Sequence, residues 1–259
     1  MTKFDYSKED IISALKHVGI INGDNIFIHS NLGFFGILKN ANNKEDYWKI
    51  FKDAIFNVIG NEGTLIVPTF SYSFCLNQDF DFNNTPSKVG LLTELVRNDP
   101  ESLRSEDANF SISAIGKNAK YFTDQASVHS FGQNSFWERL IKMNGKICCF
   151  NVGLLYNTFI HYAEKLFGVS YRFDKTFHGK FINGSRIETR SYTHYARDLS
   201  NPKTLPDLKK LSKIAYDLNK GIDAKLGKGQ ISCISVRDTF DLIQNELRND
   251  PAFLINGPL

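Results

Sequence analysis

The sequence has few cysteines and lacks the short patterns that most often mark a metal or hydrolase site. Its four cysteines, Cys75, Cys148, Cys149 and Cys233, form no CxxC pair and no zinc-binding spacing. The chain also lacks HxH, HExxH, the GxSxG nucleophile elbow, a Walker P-loop and a complete GxGxxG fingerprint. The sequence motifs therefore do not support assignment as a zinc enzyme or as an α/β-hydrolase. We expect no bound metal, and buried free thiols that fit a reducing cytoplasm.

Long apolar runs and a strong charge of one sign are missing as well. No stretch approaches the roughly 18 consecutive apolar residues of a membrane span. The N-terminal segment is charged and amphipathic rather than signal-like. The formal net charge of +3 is too small to predict nucleic-acid binding by itself. We expect a cytoplasmic protein that binds neither a membrane nor a nucleic acid.

What the sequence does contain is the pattern of an α/β domain. Of its 259 residues 42% are hydrophobic, which is enough for a sizeable core. Residues 44–59 have helical apolar spacing, and β-rich runs at 24–30 and 64–70 flank them. Further predicted elements are a strand at 146–153, a helix at 157–168, short β-type runs in 171–199, a helix at 205–220 and a strand at 231–238. We predict one domain over residues 1–259, with a central mixed, largely parallel sheet flanked by helices and a smaller inserted or C-terminal subregion.

The segment NTFIHYAE, residues 157–164, contains a candidate general base. His161 and Glu164 are three residues apart and share one face of a helix. A general base needs a free nitrogen lone pair, and a carboxylate can fix its tautomer and stabilise the imidazolium. By spacing alone an exposed helix pair is the commoner arrangement. The position just after a core strand favours an active site, because βα junctions often carry functional residues.

Two other features also have two interpretations each. The segment GFFGIL contains Gly33 and Gly36, which suit a tight turn, but a loop between a strand and a helix also suits an anionic ligand. Residues 161–200 hold seven Lys or Arg against four Asp or Glu, a surplus of three that equals the net charge of the chain. The surplus of positive charge is explained equally well by a solvent-exposed surface and by a binding site for an anionic ligand.

Five segments, taken in chain order, resemble motifs of the aminoglycoside 3-N-acetyltransferase family. HSNLGFFGIL (29–38) resembles the HSSLxxxG loop, and GNEGTLIVPTFSYS (60–73) resembles GxxGTLxxPTF. RSEDANFSISAIG (104–116) is similar to RSxHPxxSxxxxG, FGQNSFWERL (131–140) to FGxxSPxxxL, and NTFIHYAE to NTxxHxAE. The chain departs from these motifs where Asp107-Ala108 replaces the HP pair and Phe136 replaces a proline.

The resemblance implies an acetyl-CoA-dependent N-acetyltransferase with an α/β fold distinct from the GNAT fold. It implies that His161, supported by Glu164, deprotonates or positions the acceptor amine. The residues expected to bind the CoA arm are Ser30, Asn31, Leu32, Gly33, Phe34, Phe35, Gly36, Thr69, Ser71 and Ser111. The residues expected to bind the acceptor are Tyr156, Asn157, Thr158, Arg172 and Lys175.

The acceptor expected from the resemblance is a small amino sugar. SYRFDKTFHGK, residues 170–180, resembles the YRxxKxFxG stretch of family members encoded with bacterial surface-polysaccharide genes. A pocket edged by Arg172, Lys175 and Lys180 would repel a polycationic aminoglycoside and attract the pyrophosphate of a nucleotide-linked amino-deoxy sugar. The same charges could instead bind CoA phosphates or face solvent. An aminoglycoside acceptor and a catalytically silent CoA-binding homologue are the alternatives, and a homodimer is left open.

Overall fold

The computed structural model describes residues 4–257, so residues 1–3 and 258–259 of the predicted 1–259 domain lie outside the described part. The helices form where apolar residues recur with helical spacing. In the second helix, for example, Asn43 caps the N-terminus, and Phe51, Ile55 and Val58 are buried. Within residues 4–257 the α-helices are α1 (Lys8–His17), α2 (Lys44–Ile59), α3 (Leu91–Arg97), α4 (Ala119–Thr123), α5 (Phe136–Lys142), α6 (Ile160–Phe167), α7 (Lys209–Asp217) and α8 (Val236–Asn249).

The strands of the described residues form two sheets. They are β1 (Asn25–Ser30), β2 (Thr64–Pro68), β3 (Phe80–Asp81), β4 (Leu103–Arg104), β5 (Ile112–Gly116), β6 (Lys146–Phe150), β7 (Arg172–Asn183), β8 (Arg186–Arg197), β9 (Ile222–Leu226) and β10 (Gly229–Ser235). The central sheet has the order β4-β5-β2-β1-β6-β10-β9, and the smaller sheet has the order β3-β7-β8. β1 runs parallel to β2 and to β6, whereas β4, β5, β9 and β10 join by antiparallel pairing.

The central sheet is covered by helices on both faces because its middle strands are apolar on both sides. In β1, Ile26 and Ile28 pack in a cluster with α1, α2 and α3. Phe27 points the other way, into a cluster with α4 to α8. The predicted α/β class, with a central mixed sheet flanked by helices, is confirmed.

The smaller sheet corresponds to the predicted short β-type runs, but its two main strands are long. β7 and β8 pair over twelve residues each as an antiparallel hairpin. Phe181 and Tyr192 of this hairpin pack on Phe74 and Phe80 from the segment 73–88, which the sequence pattern presents as a long loop. Cross-strand packing on one face therefore holds the hairpin against the domain.

The parallel strands determine where a site can form. β1 and β6 end side by side at Ser30 and Phe150, and α6 begins ten residues further on at Ile160. The carboxyl ends of neighbouring parallel strands are the usual ligand-binding edge of an open α/β sheet. No helix within residues 4–257 is long and apolar enough to cross a membrane.

Candidate active site

His161 and Glu164 form a direct contact on helix α6. The His161 Nδ1 atom lies 2.8 Å from Glu164 Oε2, and the Glu164 side chain is fully buried. Because a carboxylate accepts the hydrogen, Nδ1 carries the proton and Nε2 keeps its lone pair. The His161 side chain is 22% exposed and lines a cleft. The pair therefore has the arrangement of an oriented imidazole base rather than of an exposed helix pair.

Two residues that follow α6 complete the surroundings of Glu164. The Tyr171 hydroxyl donates to Glu164 Oε1 over 2.8 Å. Arg172 Nε lies 2.6 Å from Glu164 Oε2, and the Arg172 side chain is only 4% exposed. Arg172 Nη1 donates to the Tyr195 carbonyl oxygen over 3.3 Å. The carboxylate is thus contacted by an imidazole, a phenol and a guanidinium.

These contacts set the charge state of the pair. Burial raises the pKa of Glu164, but the hydrogen bond from His161, the charge of Arg172 and the hydrogen bond from Tyr171 outweigh burial and lower it overall. The pKa of His161 is lowered by burial and by Arg172, against the opposing effect of Glu164. At neutral pH the site therefore contains an ionised Glu164 and a neutral His161.

The cleft in front of His161 has a volume of about 1110 Å³ and lies at the carboxyl ends of β1, β2 and β6. Eight of the predicted site residues line it: Ser30, Asn31, Leu32, Gly33, Tyr156, Asn157, Thr158 and His161. Ser30 Oγ is buried and has no hydrogen-bond partner among the described residues.

The second half of the 30–37 loop does not line this cleft. Phe34 is 66% exposed, whereas the Phe35 side chain is fully buried and packs against Tyr6 and Phe150. Gly36 has φ +89°, and a Cβ there would lie 2.3 Å from Asp5 Oδ2. The turn interpretation therefore suits Gly36, and the cleft-facing interpretation suits Gly33.

Thr69, Ser71 and Ser111 also lie outside the cleft lining. All three are fully buried, and their hydroxyl groups are engaged with neighbouring chain. Ser111 Oγ donates to the Thr69 carbonyl oxygen over 2.7 Å, and Ser71 Oγ donates to the Ala108 carbonyl oxygen over 2.7 Å. Phe70 and Tyr72 line the cleft instead, while Thr69 and Ser71 face the segment 108–111.

The two basic residues expected to bind the acceptor have different positions. Arg172 is buried behind His161 against Glu164, so it does not edge the cleft. Lys175 is exposed on β7, where its Nζ lies 5.1 Å from the centre of the Phe177 ring. The physical reason for the difference is the alternation of β7: Arg172 and Lys175 are three positions apart and point to opposite faces, and Arg172 lies on the face that meets Glu164 of α6.

Several cleft residues are not evident from the sequence motifs. His29 accepts a hydrogen bond at Nε2 from the Thr158 N–H over 3.4 Å, which agrees with a backbone-bonded histidine at a strand end. Val152 and Leu155 follow β6, and residues 206–209 approach from the start of α7. The residues before α7 are more than 40 positions from NTFIHYAE in the sequence, so no local pattern connects them to the site.

The described residues contain no group of three or more His, Cys, Asp or Glu side chains that could hold a metal ion. All four cysteines are free thiols, and Cys148, Cys149 and Cys233 are buried in the sheet. Cys75 lies 3.6 Å from His194 Nδ1, and burial raises the pKa of its thiol to about 12. Cys75 is therefore a protonated thiol at neutral pH.

A known family matches most of the chain. The sequence model of the family described as aminoglycoside 3-N-acetyltransferase matches residues 27–248. Bacillus subtilis (strain 168) has a relative, the SPbeta prophage-derived aminoglycoside N(3')-acetyltransferase-like protein YokD, that is 23% identical over 186 residues. That alignment covers 63% of this chain and 66% of the relative, just under two thirds of its length.

Solved structures of aminoglycoside acetyltransferases are similar to the chain in fold. The binary structure of AAC-IIIb with CoASH has a TM-score of 0.81 at 18% identity and covers 97% of this chain and 99% of that chain. AAC-VIa bound to sisomicin has a TM-score of 0.79 at 20% identity and covers 94% of this chain and 98% of that chain. At these identities the similarity concerns the fold alone, and it confirms the predicted architecture.

Proposed function

We propose, because the chain belongs to the aminoglycoside 3-N-acetyltransferase family, that it is an acyltransferase that uses acetyl-CoA to acetylate an amino group of a small molecule. The observation that carries this proposal is the neutral His161 ring, held at Nδ1 by the buried Glu164 and facing a cleft of about 1110 Å³. A free Nε2 at a strand-end cleft is the group that an amine acceptor needs.

The chemistry of an amine explains the need for a base. An alkyl ammonium has a pKa of roughly 10.4, so at neutral pH it is mostly protonated and not nucleophilic. His161 Nε2 can accept the proton of the amine before or during its attack, and the ionised Glu164 then stabilises the imidazolium. Acetyl-CoA supplies the acetyl group as a thioester when bound. Tyr171 keeps Glu164 in place through its hydroxyl.

The cleft residues suit the CoA arm. Asn31 precedes a short 3-10 helix, Leu32–Phe34, whose first N–H groups have no acceptor within the helix and are not capped by the Asn31 side chain. Backbone N–H groups at a helix start favour negative charge. Phe70 and Val89 add apolar side chains to the wall of the cleft. These features support the first half of the 30–37 loop as the segment that binds the CoA arm.

We infer further that the acceptor is an amino sugar, and that a nucleotide-linked amino-deoxy sugar for surface glycan synthesis fits better than an aminoglycoside. A polycation needs several free carboxylates, but among the described residues that line the cleft only Asp207 carries one, and the carboxylates on α6 and the hairpin already have cationic partners. Glu164 contacts Arg172, and Asp174 contacts both Lys165 and His129. Lys209 lines the cleft and supplies positive charge that a pyrophosphate could use.

Acetyl transfer from acetyl-CoA to a panel of amines tests the proposal. The panel contains nucleotide-linked amino-deoxy sugars and kanamycin-type aminoglycosides, and release of free CoA thiol is the readout. We expect turnover with the nucleotide-linked sugars. Robust turnover of only the aminoglycosides would overturn the acceptor assignment and leave the enzyme class intact.

A pair of histidine variants tests the catalytic assignment. We expect His161→Asn to lower kcat at least about 100-fold, since a positioned base contributes about 10²–10⁴-fold. The matched control is His178→Asn, because His178 is exposed on the hairpin and bonds only to Ser191 Oγ in the described structure. Unchanged turnover in His161→Asn would contradict the role of His161 as the base.

The rival interpretation is a silent homologue that binds CoA without catalysis. Its expected result is acetyl-CoA binding by calorimetry with no acetylation across the whole panel. The His161–Glu164 contact favours the enzyme, because a buried carboxylate that orients an imidazole has no use in binding alone. The cytoplasmic location and the homodimer remain predictions.

A further inference from the structure

Arg172 is a buried cation that lies behind the candidate base. Its side chain is 4% exposed, although it follows α6 by only five residues and begins the hairpin strand β7. Nη1 donates to the Tyr195 carbonyl oxygen, whereas Nε and Nη2 have no hydrogen-bond partner of good geometry among the described residues, so the contact of Nε with Glu164 is an ion pair. Burying a guanidinium is costly unless a nearby anion compensates its charge.

The compensating anion is Glu164. Its Oε2 atom lies 2.6 Å from Arg172 Nε and 2.8 Å from His161 Nδ1. One carboxylate oxygen is therefore shared between the cation and the imidazole, while Oε1 accepts from Tyr171. Arg172 itself makes no contact with the cleft, since it is absent from the residues that line it.

The groups around His161 act on its charge in opposite directions. Burial is the largest influence that disfavours the imidazolium, Arg172 on β7 disfavours it as well, and Glu164 on α6 favours it. His194 on β8 is a half-buried ring whose pKa is lowered to about 4 by burial, so it adds no charge at neutral pH. From β1, His29 reaches only the neighbouring Thr158 N–H, and its pKa is likewise lowered to about 4.

A buried carboxylate raises the pKa of an imidazole and so favours the imidazolium, and an imidazolium cannot accept the proton of an amine. We propose that Arg172 is a positioning residue for acetyl transfer, whose buried guanidinium balances the charge of Glu164 so that Glu164 orients the His161 ring while the ring stays neutral. This inference rests on the proposed function, in which His161 is the base.

The residues around His161 therefore have different roles. Glu164 and Tyr171 fix the direction of the ring, and Arg172 adds to burial in keeping the ring neutral. Replacing Arg172 by an uncharged residue leaves the charge of Glu164 less balanced, which raises the pKa of His161. The fraction of free base at a given pH then falls, and the acidic limb of the kcat/KM profile moves to higher pH.

The test is an NMR titration of the histidine rings in the acceptor-free protein, with the His161 signal identified by its loss in His161→Asn. We expect Arg172→Gln to raise the pKa of His161 by about one unit, the size typical of a charge at this distance. Arg172→Lys keeps the positive charge, so the pKa of His161 in this variant should be closer to the wild-type value than in Arg172→Gln. Equal values in Arg172→Gln and the wild type would overturn the inference.

A second pair of variants covers the case in which Arg172→Gln does not fold because Glu164 is left as an unpaired buried charge. Glu164→Gln and the double variant Glu164→Gln/Arg172→Gln both lack the carboxylate and differ only at Arg172. The His161 pKa should be about one unit higher in the double variant. Identical values would show that Arg172 does not influence the ring. The titration needs no acceptor, so its outcome is separate from that of the acetylation assay.

Discussion

His29 and His161 both face the cleft, but different contacts give the two rings different properties. His161 shares its Nδ1 hydrogen with Glu164, which can stabilise a proton arriving at Nε2. His29 instead accepts the Thr158 N–H at Nε2, and burial lowers its pKa to about 4. A ring that already accepts at Nε2 has no lone pair left there for substrate. His29 therefore supports the loop before α6 rather than acting as a second base.

The lowered pKa of His29 makes the stability of the fold depend on pH. The unfolded chain takes up a proton at His29 as the pH falls through about 6.5, whereas the folded chain resists until about 4. Stability from the neutral ring is thus present above pH 6.5 and is lost as the pH falls towards 4. When the pH is lowered from 7.5 to 5, the free energy of unfolding should decrease in both proteins. We expect this decrease to be about 2 kcal/mol smaller in His29→Gln than in the wild type.

Urea denaturation at the two pH values measures this difference. The exposed His178→Gln variant is the control, and it should keep the pH dependence of the wild type. An identical decrease in the wild type and in His29→Gln would contradict the assignment of a buried, neutral His29.

At the scale of elements, helix α6 and the hairpin β7–β8 together build the site. α6 places His161 and Glu164 on one face, and the hairpin returns Arg172 to that face. The helix ends at Gly168, which has the left-handed φ of +82° and whose N–H bonds to the Glu164 carbonyl oxygen over 2.9 Å. This C-cap turns the chain so that Tyr171 can reach Glu164.

A pair of substitutions at Gly168 tests how much the site depends on that cap. No atom lies within 4 Å of a Cβ built there, so only the backbone conformation opposes a side chain. We expect Gly168→Ala to lower the free energy of unfolding by about 1 kcal/mol, and Gly168→Asn to lower it less, because Asn tolerates the left-handed region. Thermal denaturation measures both variants. An Asn variant less stable than the Ala variant would contradict this account.

The whole molecule assembles the cleft from segments far apart in the chain. Its walls come from residues near 30, 70, 90, 155 and 207, which the parallel strands and α7 bring to one edge of the sheet. A ligand that bridges these segments stabilises the folded state as a whole, by about 2.7 kcal/mol at a hundred times its Kd. Acetyl-CoA should therefore raise the Tm of the protein.

Two substitutions at Gly33 test where that ligand binds. A Cβ at Gly33 would meet nothing closer than 3.9 Å, so a side chain fits the backbone but projects beside the cleft. We expect Gly33→Phe to abolish the rise in Tm caused by acetyl-CoA and Gly33→Ala to retain most of it. Both variants should have the Tm of the wild type without ligand. A full ligand-induced rise in Gly33→Phe would show that the CoA arm lies elsewhere.

The elements that the sequence predicts well are those with strong local patterns. Helix α2 has the predicted bounds of 44–59, because apolar spacing and the Asn43 cap are both local features. β9, at 222–226, is not predicted, because its alternation is weak and its pairing with β10 supplies the missing stability. The length of the β7–β8 hairpin likewise depends on packing against Phe74 and Phe80.

The sequence by itself determined the family, the α/β class and the placement of His161 and Glu164 on one helix face, because motifs and i, i+3 spacing are properties of neighbouring residues. Only the tertiary structure decided that Arg172 lies behind Glu164 rather than at the cleft edge, and that Phe70 and Tyr72 replace Thr69 and Ser71 in the cleft wall. Those outcomes depend on which face of a strand is covered by α6 or by β5, and such contacts between distant segments leave no local pattern in the sequence.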